Sequence, residues 1–463
     1  MKKNAYRFIN FESIYLLLVT LAAVWVRVWF VQVVPTEQVF DFATYHEIAT
    51  NIANSLGHSF RGAPVAWQGP AYPLFLGLIY RLAGDCSELA GKYVNVILSV
   101  LTLLMFYLLL RRFSKNVVFV CGAYTMAAFL PNFLAYNNVI GTEVFFTFIF
   151  MLILLLQVYP FQRQLLHHGR YRRRLSLRWL RVPALGILIG AAALTKPFFL
   201  AYPFVAALYY WFKEKDLKKT AVFLGIVYLM TAVVITPWAY RNYTKFGEFI
   251  PISYNGGYVL YINNNDLNVS GGWMDPLDIP APERLQEEKK EILEKYDGHV
   301  QLAYELDPLL RKEALRWIAA HPLDFLELGI IRLKTTFFMG AWDIRSWGMN
   351  GLPSTQDLKE EPGYRRALSF FHALSDVLIY LLSSMGLWYM FVGLIAAGKA
   401  VWRKERGRLP DGALITVINL AFLVLVIFVF EGQARYNFPA LFLLITGLFS
   451  FAGGNFFTKE TSD

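Results

Sequence analysis

A chain of 463 residues that is 56% hydrophobic and 17% aromatic, with only 17% charged residues, is too apolar for an ordinary soluble domain of its size. Its formal charge of +10 sits in basic clusters between apolar stretches, which reads as membrane topology and excludes nucleic acid as the expected partner. Two cysteines, Cys86 in a short loop and Cys121 inside an apolar span, give no disulfide framework and no zinc motif.

In chain order, the first apolar stretch covers 14–34 and follows Lys2, Lys3 and Arg7. It is longer than the core of a signal peptide and ends at Gln32 to Pro35 without a small-residue cleavage site, so a retained helix with its start on the cytoplasmic side is expected. Arg27 within it must face the bundle interior, pair or snorkel. Residues 35–92 then form a first extracytoplasmic loop region. Thr44 and Glu47 make a T-x-x-E capping box, which predicts a helix with Tyr45, Ile48, Ala49, Ile52 and Leu56 on one face and Asp41 one turn ahead of the cap. Asp41 is then either a solvated cap or a carboxylate held at the membrane surface and available as a general base. His46 and His58 lack a metal-ligand spacing, and His46 reads as a helix-surface residue. The apolar run Tyr72 to Leu82 is too short to span and reads as an interfacial or re-entrant helix.

Further spans are predicted at 93–111, 116–135 and 143–160. Glu143 opens the last of these from the outer face, where the helix dipole favours a carboxylate whatever its role. Between Phe161 and Val182 lie Arg163, Arg170, Arg172, Arg173, Arg174, Arg178 and Arg181 with no acidic residue, so this loop is placed in the cytoplasm. The same rule places Arg111, Arg112 and Lys115 there, with Lys213, Lys215, Lys218 and Lys219, and with Lys399, Arg403, Lys404, Arg406 and Arg408. Two short spans, 183–195 and 198–212, meet at Lys196 and Pro197. A lysine at the centre of a span costs about 2.5–3.5 kcal/mol on insertion scales, so Lys196 is a functional candidate unless it snorkels to the surface.

A span at 220–240 ends in Trp238, Arg241 and Asn242. Residues 241–372 are the one long polar stretch, a large extracytoplasmic segment opening with Gly256, Gly257, Asn263, Asn264, Asn265, Gly271 and Gly272. A charged helix over 282–296 and an amphipathic helix over 309–328 follow. Residues 373–463 return to the membrane with spans at 373–396, 411–430 and 438–456. The count is about ten helices with both ends inside, in one domain over 1–463. Arg241 and Arg435 lie on the outer side against the positive-inside trend. Each is either an interfacial anchor beside Trp238 or Tyr436, or a planar fork for an anionic headgroup. Nothing matches a Walker loop, a dinucleotide fingerprint or a serine nucleophile elbow, so a soluble nucleotide donor has no site.

Several short motifs, taken in order, carry a resemblance. They are Asp41 with Tyr45 after the first span, Gly69-Pro70-Ala71-Tyr72-Pro73-Leu74, Thr142-Glu143, Leu194-Thr195-Lys196-Pro197, Thr236-Pro237-Trp238 with Arg241-Asn242, and Arg435-Tyr436 with Pro439. The chain resembles the glycosyltransferase family 39 group, which includes protein O-mannosyltransferases and lipid A aminoarabinose transferases within the wider GT-C membrane fold. The resemblance implies an all-α polytopic GT-C-like bundle with interfacial helices in its two extracytoplasmic loop regions. It implies inverting transfer of a hexosyl or pentosyl group from a polyprenyl-phosphate donor to an acceptor hydroxyl, at the outer face of the cytoplasmic membrane. Asp41 falls on the family's base and Glu143 on its second acidic position, and Lys196, Arg241 and Arg435 fall near the donor phosphate. The substrate pocket is expected to include Tyr45, His46, Tyr72, Trp238, Asn242 and Tyr436. Some relatives carry a lysine or arginine before the first-loop proline, where Gln68 and Gly69 stand here. No cofactor is required beyond the lipid-linked donor, although Asp41 and Glu143 could hold a divalent metal. The acceptor, whether protein, lipid or glycan, is left open. A reading from another class is a lipid or polysaccharide transporter of the cell envelope, for which such a bundle with an internal lysine also suits.

Overall fold

The computed structural model describes residues 11–158, 178–353, 362–405 and 409–452. Most of the arginine cluster expected between 161 and 182, the first lysines, and Arg406 and Arg408 lie outside the described residues. The described chain is mostly helical, with one short hairpin pairing β1 (Ser59–Phe60) with β2 (Ala63–Pro64) through Arg61 and Gly62, both at positive φ.

The helices in chain order are α1 (Phe11–Val33), α2 (Asp41–Ala53), α3 (Ala71–Ala83), α4 (Glu88–Phe113), α5 (Val117–Phe129), α6 (Pro131–Ala135), α7 (Thr142–Val158), α8 (Arg178–Ala193) and α9 (Tyr202–Glu214). They continue as α10 (Leu217–Phe246), α11 (Gly256–Asn263), α12 (Glu283–Lys295), α13 (Leu306–Ala320), α14 (Pro322–Phe337), α15 (Pro362–Trp402), α16 (Asp411–Val429) and α17 (Leu441–Ala452). Among the described residues six spans are long and apolar enough to cross a bilayer, and the bent pair of α5 with α6 and its following turn makes a seventh by the same test. Over their described residues the short apolar helices α3, α7 and α8 fall below that length. The protein is a polytopic membrane protein, and three of the ten expected spans (143–160, 183–195 and 198–212) are the short helices α7, α8 and α9.

Several helix starts are set by polar caps. Asn116 accepts from the Val118 amide at 2.9 Å at the start of α5, and Asp216 from the Lys219 amide at 3.1 Å at the start of α10, which ends at Gly247 in the left-handed region. Arg27 is buried on α1, donating from Nε to Ser99 Oγ of α4 at 2.9 Å and from Nη1 to the carbonyls of Ala128 at 2.7 Å and Ala23 at 3.1 Å. It faces the interior, as an arginine at that depth must, and its donors tie α1 to α4 and α5.

The bundle has two chemically distinct ends. At one, Arg112 pairs with Asp411 at 2.8 Å and donates to the Val158 carbonyl at 3.1 Å, Lys213 pairs with the same aspartate, and Arg111 pairs with Glu12 at 3.3 Å. At the other end sit Asp41, Glu143 and Lys196. On α7 the two ends are a helix length apart, about 25 Å at 1.5 Å per residue.

Two local expectations change. The helix after the first span begins at Asp41, with Phe40 as its N-cap at φ 51°, because Thr44 Oγ1 donates back to the Phe40 carbonyl and Glu47 takes the Arg61 amide at 2.7 Å instead of closing a capping box. Asp41 is therefore in the first turn, and Leu56 lies beyond the helix and is exposed. The amphipathic helix expected over 309–328 is two helices, α13 and α14, broken at His321 because the residue before Pro322 is pushed out of the helical region.

Candidate active site

The start of α2 carries the first group. In the first turn of a helix, the Asp41 carboxylate is favoured by the unpaired backbone amides there. Its partner comes from the far end of the chain: Arg435 Nη2 donates to Asp41 Oδ2 at 3.0 Å, across 394 residues of sequence. Arg435 lies in a turn between α16 and α17, and three contacts hold that turn. Gly432 N donates to the Gly271 carbonyl at 2.9 Å, and Asn437 Nδ2 to the Thr336 carbonyl at 3.1 Å. Buried Arg332 on α14 spends Nη1 on the Phe428 carbonyl at 2.9 Å and Nη2 on Asn264 Oδ1 at 2.7 Å. The Arg435 guanidinium packs over Phe42 at 5.6 Å and over Tyr436 at 5.2 Å.

Beside this pair lies a second. Lys196 Nζ meets Glu143 Oε1 at 3.3 Å and stands 5.8 Å from the centre of the same Tyr436 ring. Lys196 reaches that place because the first loop closes on the end of α8: Ala71 N donates to the Leu194 carbonyl at 3.1 Å. A Cβ on Gly69 would stand 2.7 Å from the Thr195 carbonyl oxygen, so no larger residue fits at that approach. The Gln68–Gly69 sequence thus serves as the seat of the Lys196 turn.

Two atoms of the cluster are buried without a hydrogen-bond partner: Arg435 Nε, a donor, and Glu143 Oε2, an acceptor. Glu431, four residues before Arg435, is a third carboxylate of the cluster and is buried; it accepts from Tyr436 Oη at 2.7 Å and from the Gln433 side chain, and burial raises its pKa against the opposing pull of Arg435. Tyr45 is buried next to this cluster and packs edge-on against Tyr72 at 5.7 Å, and Tyr72 in turn leans on Phe145 of α7 at 5.8 Å.

Of the expected site residues, the fold brings together Asp41, Glu143, Lys196, Arg435, Tyr436 and Tyr45, with Tyr72 behind Tyr45. It places the others elsewhere. Arg241 donates to the carbonyls of His58 at 2.8 Å and Val65 at 3.0 Å and to Asn242 Oδ1 at 3.0 Å, and packs on Trp238 at 4.7 Å. None of these bonds reaches the acid cluster; Arg241 clamps the β1–β2 hairpin to α10. Trp238 donates to the Ile252 carbonyl at 2.7 Å and Asn242 to the Ile250 carbonyl at 2.9 Å, so both fasten the chain that leaves α10. The imidazole of His58, under that clamp, is driven down to about 3 by burial first and by the Arg241 charge second. His46 meets Tyr80 Oη at 3.1 Å between α2 and α3. Among the described residues no group of three or more His, Cys, Asp or Glu side chains is placed to hold a metal ion.

Sequence reasoning missed Glu431, Phe42 and Asp343. Glu431 left a signal, a carboxylate in the same short loop as Arg435. Asp343 left none. It is fully buried and takes Asn132 Nδ2 at 3.4 Å, from 211 residues earlier, and burial raises its pKa to about 6. Its turn lies against the site: Trp347 packs edge-on to Phe42 at 5.5 Å, and the Gly348 carbonyl accepts from Thr36 Oγ1 at 2.8 Å.

No family model matches the sequence, and no curated protein matches it. Solved structures do. The oligosaccharyltransferase of Archaeoglobus fulgidus in its apo form superposes with a TM-score of 0.53 at 14% identity, over 97% of this chain and 51% of that one. The same enzyme, AglB, in complex with an inhibitory peptide and a dolichol-phosphate gives 0.51 at 14% identity, over 96% and 50%. ArnT from Cupriavidus metallidurans bound to undecaprenyl phosphate gives 0.43 at 14% identity, over 93% and 77%. The chain spans about half the length of the oligosaccharyltransferase it matches. It has the fold of the GT-C membrane glycosyltransferases.

Proposed function

We propose that this protein is a polyprenyl-phosphate-dependent glycosyltransferase that moves a sugar to an acceptor hydroxyl at the extracytoplasmic face, with inversion. The observation that carries the reading is the contact of Asp41 with Arg435 beside the contact of Glu143 with Lys196: two acids and two cations gathered from four distant parts of a GT-C fold. The opposite end of the bundle carries Arg112 and Lys213, basic residues of the kind that favour a cytoplasmic face, which supports an outward-facing acid cluster.

The chemistry follows from the arrangement. The acceptor oxygen attacks the anomeric carbon, the bond from that carbon to the phosphate oxygen breaks, and the acceptor proton passes to the Asp41 carboxylate. Charge gathers on the departing lipid phosphate, and Arg435 and Lys196 stabilise it in a water-poor site, where fixed charges act more strongly than in solvent. Arg435 still has a donor for it, since buried Nε is unpartnered. Glu143 holds Lys196 in place, and the half-exposed side chain of Asp41 is open to an arriving acceptor. An apolar groove of about 460 Å³ along α10 and the turn after Lys196, lined by Leu200, Tyr228, Ile235, Tyr240 and Phe249, includes none of the cluster residues and suits an isoprenoid chain. AglB of the same fold is known with a dolichol-phosphate, which agrees with a lipid-phosphate donor here. Clustering of the polar groups at one end of the bundle, rather than at mid-membrane, gives no support to a transporter.

Mass spectrometry of envelope fractions from cells with and without the gene tests this. Loss of a sugar from one acceptor class, with accumulation of a polyprenyl-phosphate sugar, is the expected result. An unchanged set of glycans would overturn the reading.

A further inference from the structure

Glu431 makes no ion pair with either cation among the described residues, and both its oxygens are committed. Oε2 takes the Tyr436 hydroxyl proton at 2.7 Å and Oε1 takes the Gln433 side chain. With that proton spent, the Tyr436 oxygen can only accept toward Arg435, whose Nη2 lies 3.3 Å away and is the same nitrogen that meets Asp41 at 3.0 Å. The Tyr436 ring is also the shared wall for both cations, 5.2 Å from the Arg435 guanidinium and 5.8 Å from Lys196 Nζ. One phenol thus borders both charges, and one buried carboxyl holds the phenol.

We infer that Glu431 is a positioning residue of the lipid-phosphate seat, acting through Tyr436 to hold Arg435 and Lys196 where a phosphate can meet both. The inference rests on the glycosyltransferase reading and adds to it a residue that touches no substrate. What the role requires of Glu431 is an acceptor oxygen, not a charge. A glutamine retains an acceptor oxygen for the phenol, and Gln433 can turn its amide to match, whereas an alanine frees the phenol to point its proton at the phosphate or at Asp41.

The test is binding of undecaprenyl phosphate to the purified full chain in detergent. Wild type binds, Glu431→Ala and Tyr436→Phe each weaken binding about tenfold, the double variant is no weaker than the poorer single, and Glu431→Gln stays within about threefold. If wild type does not bind, the seat itself is wrong and the glycosyltransferase reading falls with it. If wild type binds, the inference alone is overturned by Glu431→Ala at wild-type affinity, by Glu431→Gln as weak as the alanine variant, or by additive losses in the double variant. Should Glu431→Ala fail to accumulate as folded protein, Tyr436→Phe with Glu431→Gln decides: wild-type affinity in Tyr436→Phe overturns the inference, and a tenfold loss beside an intact Glu431→Gln supports it.

Discussion

Asp41→Asn separates the catalytic role of this carboxylate from its structural one. The substitution keeps the shape of the side chain and leaves an oxygen to accept from Arg435 Nη2, so the 3.0 Å contact survives as a neutral acceptor bond. Two stabilising effects of the charge are lost. The ion pair is half-exposed on the aspartate side, with 36% of that side chain accessible, and such pairs contribute about 0–1 kcal/mol. The helix-start effect adds about 0.3–1 kcal/mol. A total of at most roughly 2 kcal/mol leaves the protein inserted and folded. Transfer is affected far more, because removing a general base slows the step by about 10²–10⁴-fold. Cells lacking the gene, complemented with wild type or Asp41→Asn at matched membrane levels, are compared by mass spectrometry of the glycosylated acceptor. The variant is expected to give no product above the gene-less background. Product within about threefold of wild type would refute the base assignment and, with it, the account of why Arg435 meets this aspartate.

Other expectations follow from the same geometry. Lys196→Met leaves Glu143, only 4% exposed in its side chain, without its lysine; loss of one partner of a buried pair costs about 3–5 kcal/mol, held toward the lower figure by nearby Arg435. Adding Glu143→Gln should restore the thermal midpoint in detergent without restoring transfer, and a double variant as unstable as the single would contradict the pairing. Arg241→Ala should lower stability by about 2–3 kcal/mol through its lost bonds to the His58 and Val65 carbonyls, yet bind undecaprenyl phosphate within threefold of wild type. A tenfold loss of binding would return Arg241 to the phosphate seat. Asp343 has a folded pKa of about 6 against an ordinary 3.8, so the fold favours its protonated form. Its contribution to stability is complete below 3.8 and lost as pH rises through about 6, a difference of roughly 2–3 kcal/mol. Asp343→Asn should therefore unfold at a midpoint that no longer falls between pH 4 and 6; an unchanged slope would show that other groups set it.

The sequence by itself determines much of what depends on apolar length and charge along the chain. The positions of the long helices, the basic end of the bundle, the short apolar helix Ala71–Ala83 and the inward-facing Arg27 follow from hydrocarbon thickness and the cost of charge within it, which are properties of a stretch by itself. Asp41, Glu143, Lys196 and Arg435 are each visible in the sequence as polar groups at helix ends, where the helix dipole or snorkelling accounts for them equally well. Only tertiary structure brings them together, since Asp41 and Arg435 stand 394 residues apart and their meeting at 3.0 Å is written in no local pattern. The same holds for the separation of Arg241, whose bonds to two loop carbonyls make it a clamp although its motif looks like that of its neighbours, and for Glu431, which meets the cluster through the hydroxyl of Tyr436. Helix position is an energy of single segments against the bilayer. A site is an energy of contacts between segments, and that exists only once the chain has closed on itself.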